Sequence, residues 1–123
     1  MGHMNVMWYV GKFDEATWQL FHAIGLTPSY FRGANCGMAA VDQHICYLKE
    51  LHAGDVVSVR TQMLEVKEKT IRFEHEMLND ETNEVAARTT LTGVHLDTEL
   101  RKSRALPETV ARKAASLIEL NAK

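Results

Sequence analysis

After the first 24 residues of this chain, the spacing of apolar residues changes from a helical period to a strand period, and this change most constrains the fold. Between Asn5 and Ile24, apolar residues recur every three or four positions with polar residues mostly between them, as on an amphipathic helix. Asn5 is a candidate cap for the start of this helix, and Gly25 followed by Pro28 predicts its end. Gly11 interrupts the pattern, and a close approach of the helix to a sheet would explain it.

Four stretches that alternate between apolar and polar residues follow the helix, and each is bounded by a polar connection. They extend over residues 38–49, 57–63, 71–75 and about 85–96. The segment before the first of them is rich in turn formers and predicts a loop, and Pro107 suits the first turn of a last helix. Because the connections are short, we expect antiparallel neighbours in a meander. The sequence therefore predicts an α+β fold in which one sheet wraps around one long helix.

Composition excludes several classes of protein. At 123 residues the chain suits a single domain, residues 1–123, and 46% hydrophobic with 24% charged residues is typical of a globular protein. A net charge of −2 does not favour nucleic acid or an anionic membrane as a partner, and the apolar runs are too short to span a bilayer. The first five residues show no basic stretch followed by an apolar one, so no signal peptide is expected. Cys36 and Cys46 do not form a disulfide framework. We therefore expect a cytoplasmic protein with reduced thiols.

Three motifs in this order carry a resemblance to a known family. The first runs from Gly2-His3-Met4-Asn5 into a helix that carries Tyr9 and, further along, an acidic residue followed by alanine, Glu15-Ala16. The second is the segment 44–48, with Asp55 eight residues after Tyr47. The third is the segment 94–97, with basic residues and Leu106-Pro107 beyond it. Over nearly its whole length the chain resembles the hotdog-fold acyl-CoA thioesterases. It is similar in particular to the kind associated with carnitine breakdown, which releases betaine.

The resemblance implies a curved antiparallel sheet around a central helix and hydrolysis of an acyl-CoA thioester. Backbone N–H groups around Val6 would then hold the thioester oxygen, and His3 and Asn5 could orient a water, although Asn5 could equally be only a cap. The family usually has an Asp three residues before the opening Gly and a complete first strand, and here Met1 directly precedes Gly2. Four strands are therefore expected instead of five, with the missing one at an outer edge. Gly2-His3-Met4 also matches a common remnant of expression tags.

Asp42 and His44 are a candidate replacement for the missing carboxylate. Residues two apart on a strand share a face, so both side chains could enter one cleft, with His44 as base and Asp42 orienting it. The alternative is a polar strand face at a subunit boundary. Cys46 shares this face and suggests a Cys–His nucleophile, but a buried, inert cysteine is the more common case.

Candidate substrate-binding residues lie at both ends of the chain. Most aromatic residues of the first helix should be core, but Trp8 or Tyr9 could line an acyl pocket and hold a betainyl ammonium group. The loop residues Arg101, Lys102 and Arg104 could bind the phosphates of CoA, or could simply be solvated.

The remaining histidines, His22, His52, His75 and His95, lack zinc-binding spacing, and His52 and His75 should be structural or surface groups. We expect no metal, and no cofactor apart from the CoA of the substrate. The family pairs through the strand at 38–49, so we expect a homodimer or homotetramer. Two other functions stay open: a non-catalytic acyl-CoA-binding or assembly module, and an acyl-thioester hydratase or dehydratase.

Overall fold

The computed structural model describes residues 6–121, and within them three helices and five strands form a mixed α+β fold. The elements are α1 (Val6–Ile24), α2 (Pro28–Ala34), β1 (Cys36–Tyr47), β2 (Val57–Val66), β3 (Thr70–Asn79), β4 (Val85–Asp97), β5 (Lys102–Ser103) and α3 (Glu108–Asn121). No helix within these described residues has the length and hydropathy to cross a membrane. The long first helix, the four long strands and the last helix are confirmed.

All strands form one antiparallel sheet in the order β1-β4-β3-β2, with β5 pairing to the end of β4. The predicted meander is correct for β2, β3 and β4, which are joined by tight turns. It is wrong for β1, which pairs with β4 and not with β2. Residues 48–56 carry the chain from one edge of the sheet to the other, so β1 and β2 are the two edge strands.

The inner face of the curved sheet packs against α1. Along β3 and β4 every second residue is buried, and these side chains meet the apolar face of α1 in two clusters. Phe13 belongs to the cluster near the start of α1, and Leu20 and Ile24 belong to the cluster near its end. Val110 and Ala114 of α3 complete the second cluster, as their spacing predicted.

Two segments that were predicted to be loops contain regular structure. α2 begins after Thr27, whose side chain accepts a hydrogen bond from the Tyr30 N–H, and it ends at Asn35 with φ of 52°. Pro28 is therefore a first-turn residue of α2, and not only a helix terminator. In the basic loop, Lys102 and Ser103 form β5.

The predicted end of α1 is confirmed at Gly25, which has φ of 96°. Asn5, the predicted cap, lies outside the described residues. The explanation offered for Gly11 is wrong, because no neighbouring atom within the described residues would lie within 4 Å of a Cβ at this position.

Candidate active site

The start of α1 lies beside the end of β1. The ring of Tyr9 meets the ring of Tyr47 edge-on, with centroids 5.1 Å apart, and Tyr9 is buried among apolar residues of the sheet. The first N–H groups of a helix have no acceptor within the helix and carry its positive dipole end. The N–H donors at the start of α1 therefore lie close to the last residues of β1.

Of the residues predicted around this terminus, only some can be placed. Val6 is the first residue of α1 that the structure describes, and the role of its N–H stays a prediction. His3 and Asn5 lie outside the described residues. Tyr9 is core, and burial raises the pKa of its hydroxyl, whereas the side chain of Trp8 is 63% exposed.

Asp42 and His44 share a face of β1, but that face points away from α1. On β4, His44 pairs with Thr90 and Asp42 pairs with Thr92. The residue between these two threonines, Leu91, is buried and faces the core. Directly paired residues lie on the same face of a sheet, so Asp42 and His44 lie on the outer face. The structure brings the two together without directing them to the start of α1.

A β-bulge at Val41 determines this orientation. The register shifts between Ala40 and Asp42, so the inward-facing positions change from even numbers, such as Met38, to odd numbers, such as Ile45. Without the extra residue, Asp42 would continue the inward-facing row. The alternation in the sequence predicts a shared face but contains no signal for the bulge.

Cys46 is neither buried nor isolated, which corrects the expectation of an inert core cysteine. Its Sγ lies 3.2 Å from Nε2 of His44, and the side chain is only partly buried. Cys36 is the buried cysteine of the pair. Cys46 pairs in register with Arg88 and therefore also lies on the outer face.

The outer face carries an ion-pair row that the sequence did not indicate. Nη2 of Arg60 and Nη2 of Arg88 each donate to a different oxygen of Glu76 over 2.8 Å. The hydrogen bonds from Arg88 and Arg60 lower the pKa of the Glu76 carboxyl. Because these residues pair directly across β2, β3 and β4, the row ties the strands together.

The three basic residues near the end of the sheet differ in their surroundings. Nη1 of Arg104 donates to the backbone oxygen of Ala34 over 2.9 Å and lies 3.6 Å from Oδ2 of Asp97. Arg104 therefore holds the loop to α2. Arg101 and Lys102 are exposed.

Two histidines are fully buried and hydrogen-bonded. Thr17 and Thr61 contact the two ring nitrogens of His75 over 2.8 Å each, and burial lowers the pKa of His75 to about 4. Nδ1 of His95 donates to the backbone oxygen of Arg104, so its Nε2 accepts from the Tyr30 hydroxyl over 2.9 Å. Both are structural groups. Within the described residues, no cluster of His, Cys, Asp or Glu side chains could hold a metal ion.

A groove that the sequence did not indicate runs along the other half of α1. It has a volume of about 1020 Å³ between α1, α2 and the first residues of β1. A second hollow of about 180 Å³ continues it between α1 and the middle of β1. Trp18, Phe21 and Met38 line both, so the two form one depression.

Known proteins resemble this chain in sequence and in structure. A family model of the thioesterase-like superfamily matches residues 1–114. An L-carnitine dehydrogenase/betainyl-CoA thioesterase from Agrobacterium fabrum is 33% identical over 122 residues, which is 99% of this chain and 24% of that protein. The chain spans about a quarter of the length of the curated relatives it matches.

Two solved structures illustrate the likeness in fold. A hypothetical protein from Staphylococcus aureus in complex with CoA superposes with a TM-score of 0.92 at 20% identity, covering 97% of this chain and 75% of that one. A putative thioesterase from Pseudomonas putida superposes with a TM-score of 0.82 at 26% identity, covering 98% and 76%. These likenesses confirm the expected hotdog fold, a curved antiparallel sheet around a long helix.

Proposed function

This chain belongs to the thioesterase-like superfamily, and we propose that it hydrolyses an acyl-CoA thioester to a free acid and coenzyme A. The observation that carries the proposal is the family match over residues 1–114, which includes α1, the whole sheet and the start of α3. The start of a helix presents backbone N–H groups along its axis, and a donor site of this kind for the thioester oxygen supports the proposal.

The proposed reaction uses the start of α1 as an oxyanion site. A water oxygen adds to the carbonyl carbon, and the negative charge that develops on the carbonyl oxygen is stabilised by the N–H of Val6 and the helix dipole. The carbon–sulfur bond then breaks, the thiolate of CoA leaves, and the proton from water ends on the thiol.

The group that takes the proton from water is proposed from two alternatives. His3 and Asn5 directly precede α1 in sequence. The imidazole of His3 is our first choice for this group, with the side-chain amide of Asn5 orienting the water. Asp42 and His44 are the second choice. Their position on the outer face argues against them. If β1 paired with a strand of another copy, the sheet would become wider, but the outer face would still point away from α1.

Arg101 and Lys102 are our candidates for binding the phosphates of CoA. Both are exposed, Arg101 in the turn before β5 and Lys102 as the first residue of β5. The guanidinium of Arg104, in contrast, is occupied by Ala34 and Asp97. Replacing Arg101 and Lys102 with Ala should raise KM for the CoA ester more than it lowers kcat, since phosphate contacts bind ground state and transition state alike.

A second copy of this chain is the proposed protein partner. β1 is a 12-residue edge strand, and exposed apolar side chains lie along it and just after it, at Val41, Tyr47 and Leu48. Such an edge favours pairing with an identical strand. The start of α1 lies beside the end of β1, so a dimer of this kind would place the proposed site near the subunit boundary.

The activity is tested by measuring thiol release from a panel of CoA esters that includes betainyl-CoA, which the name of the Agrobacterium relative suggests. We expect release from at least one ester, and a loss of roughly tenfold or more in kcat for His3→Ala or Asn5→Ala. His44→Ala and Asp42→Ala are the matched comparison. A larger loss in these two than in His3→Ala would make the outer-face pair the catalytic one. Binding of CoA without any turnover would reject hydrolysis and support a non-catalytic acyl-CoA-binding module.

A further inference from the structure

We infer that α2 is a lid on the groove between α1, α2 and β1, and that it rotates as one rigid helix when the hydrogen bond between Tyr30 and His95 breaks. The lid controls access to the floor of the groove at Cys36 and Gly37. The inference is independent of thioester hydrolysis, because it concerns the movement of α2 and not the reaction at the start of α1.

α2 is held to the rest of the fold by little buried surface. It has 7 residues, all of which the structure describes, and none of them is fully buried. Tyr30 and Phe31 are partly buried against the core. Segments with few buried apolar contacts open locally at a free energy well below that of global unfolding. α2 can therefore leave its place while the sheet and α1 stay intact.

α2 lies between two residues that are fixed in the core. Leu26 precedes it and Cys36 follows it, and both are buried. One capping residue separates each of them from the helix: Thr27 in an extended conformation, and Asn35 in the left-handed region with φ of 52°. Large movements of one segment are commonly absorbed by a few residues at the ends of an element. Thr27 and Asn35 are therefore the hinges of the lid.

The hydrogen bonds of its own caps hold α2 together as a unit. The side chain of Thr27 accepts from the N–H of Tyr30, and its backbone oxygen accepts from the N–H of Phe31. At the other end, the N–H of Asn35 donates to the backbone oxygen of Phe31. These bonds survive when the two hinge residues turn about their outer backbone bonds. The helix should therefore rotate without unwinding.

The latch of the lid is a hydrogen bond to the third sequence motif, the segment 94–97. The hydroxyl of Tyr30 donates to Nε2 of His95 over 2.9 Å, and the two rings stack with centroids 6.0 Å apart. His95 is fully buried, and its Nδ1 is held by the backbone oxygen of Arg104. Burial, together with a hydrogen bond to Cys36, raises the pKa of Tyr30 to about 12, so the hydroxyl keeps the proton that it donates.

A second hydrogen bond holds the other end of α2. Nη1 of Arg104 donates to the backbone oxygen of Ala34, the last residue of the helix. The net contribution of one such bond corresponds to a roughly three- to tenfold change in an equilibrium constant. The two bonds therefore favour the closed lid without locking it.

α2 forms one wall of the groove and covers a cysteine. The two helices line the groove with Phe31 and Arg32 from α2 and with Trp18 and His22 from α1. Cys36 also lines the groove, but its side chain is buried in the closed arrangement. Rotation of α2 should uncover this thiol, so Cys36 reports the open state.

The rate at which Cys36 reacts with iodoacetamide tests the lid. The chain has two cysteines, so Cys46→Ser leaves Cys36 as the single thiol. In this background we expect Tyr30→Phe to raise the labelling rate roughly three- to tenfold, because it removes only the latch hydroxyl. Arg104→Gln removes the bond to Ala34, leaves the Tyr30 hydroxyl beside the thiol, and should also raise the rate. Unchanged rates in both variants would overturn the lid.

Tyr9→Phe is the matched control for a lost tyrosine hydroxyl. The hydroxyl of Tyr9 is hydrogen-bonded to the backbone of Leu51, in the cluster near the start of α1. This variant should leave the labelling rate of Cys36 unchanged, even where a urea titration shows the same loss of global stability as for Tyr30→Phe. An equal rise of the rate in both variants would mean that global destabilisation exposes the thiol, which would overturn the latch.

Urea and one further variant distinguish a rotating helix from an unfolding one. Rotation exposes little new surface, so the labelling rate at low urea should be nearly independent of the urea concentration. Gly33→Ala favours the helix at an exposed position, where a Cβ would meet no neighbour within 4 Å among the described residues. It should leave the rate unchanged, because rotation keeps the helix intact. A rate that follows the urea dependence of global unfolding would overturn the lid, and a markedly slower rate in Gly33→Ala would overturn its rigid movement.

Discussion

Thr89 is a fully buried side chain whose hydroxyl makes no hydrogen bond to any of the residues that the structure describes. It lies on the inner face of β4, between Ile45 of β1 and His75 of β3. A buried hydroxyl without a partner costs free energy, and valine has nearly the same shape. We therefore expect Thr89→Val to raise the free energy of unfolding by about 1 kcal/mol in a urea titration. A loss of stability would mean that the hydroxyl has a partner in solution.

His75 makes the stability of the fold depend on pH. Burial lowers its pKa to about 4, whereas an unfolded histidine titrates near 6.5. Between these values the unfolded chain binds the extra proton, so stability rises with pH through this window and is fully present above it. The free energy of unfolding should increase by up to about 1.4 kcal/mol per pH unit from pH 4 to pH 6.5.

His75→Gln identifies the source of this dependence. The groups that face the imidazole are Thr17 from α1 and Thr61 from β2, with Phe13 and Phe73 against the ring, and none of them titrates. Urea titrations at several pH values should therefore give a flatter profile for His75→Gln than for the wild type. His22→Gln, at an exposed position on α1, is the control and should keep the wild-type slope.

We expect opposite effects on stability from the same substitution at two glycines, one inside α1 and one directly after it. Gly11 is exposed in the middle of the helix with open space around its missing Cβ, whereas Gly25 ends the helix with φ of 96°. Gly11→Ala should raise the free energy of unfolding by about 0.5–1 kcal/mol, because alanine restricts the unfolded chain and favours the helix. Gly25→Ala should lower it, since an L side chain is strained at that φ. The same sign for both variants would contradict this account.

The helices and strands could be predicted from the sequence where the pattern that specifies them involves neighbouring residues. The helical period of α1 and the hairpins that join β2, β3 and β4 follow from neighbouring residues. The pairing of β1 with β4 joins segments far apart in sequence, and no local pattern specifies it. α2 was missed because Pro28 and Asn35, which look like turn residues, are its first-turn residue and its cap.

The candidate site was less predictable than the fold for a related reason. A period of two shows that Asp42 and His44 share a face, but it does not say which face is inner. The bulge at Val41 makes that choice, and bulges depend on the partner strand. The hollow between α1 and the middle of β1 likewise combines residues of α1, β1 and β4 that are far apart in sequence.

At the scale of the whole molecule, the two edges of the sheet differ in what they expose. At the β1 edge, Val41 at the bulge is 62% exposed. At the β2 edge, Val56 directly precedes the strand and is 66% exposed. The proposed dimer uses only the β1 edge. These two valines therefore form a matched pair for testing which edge associates.

Val41→Lys should weaken the dimer, because the two-fold axis of an isologous interface brings two copies of the new charge close together. We expect a dissociation constant raised by roughly tenfold or more, measured by light scattering or sedimentation over a dilution series. Val56→Lys adds the same charge at the start of the other edge and should leave the constant unchanged. A dimer weakened by Val56→Lys and not by Val41→Lys would move the interface to β2. A wild-type chain that is monomeric at every concentration would reject the dimer and require the start of α1 to act within a single copy.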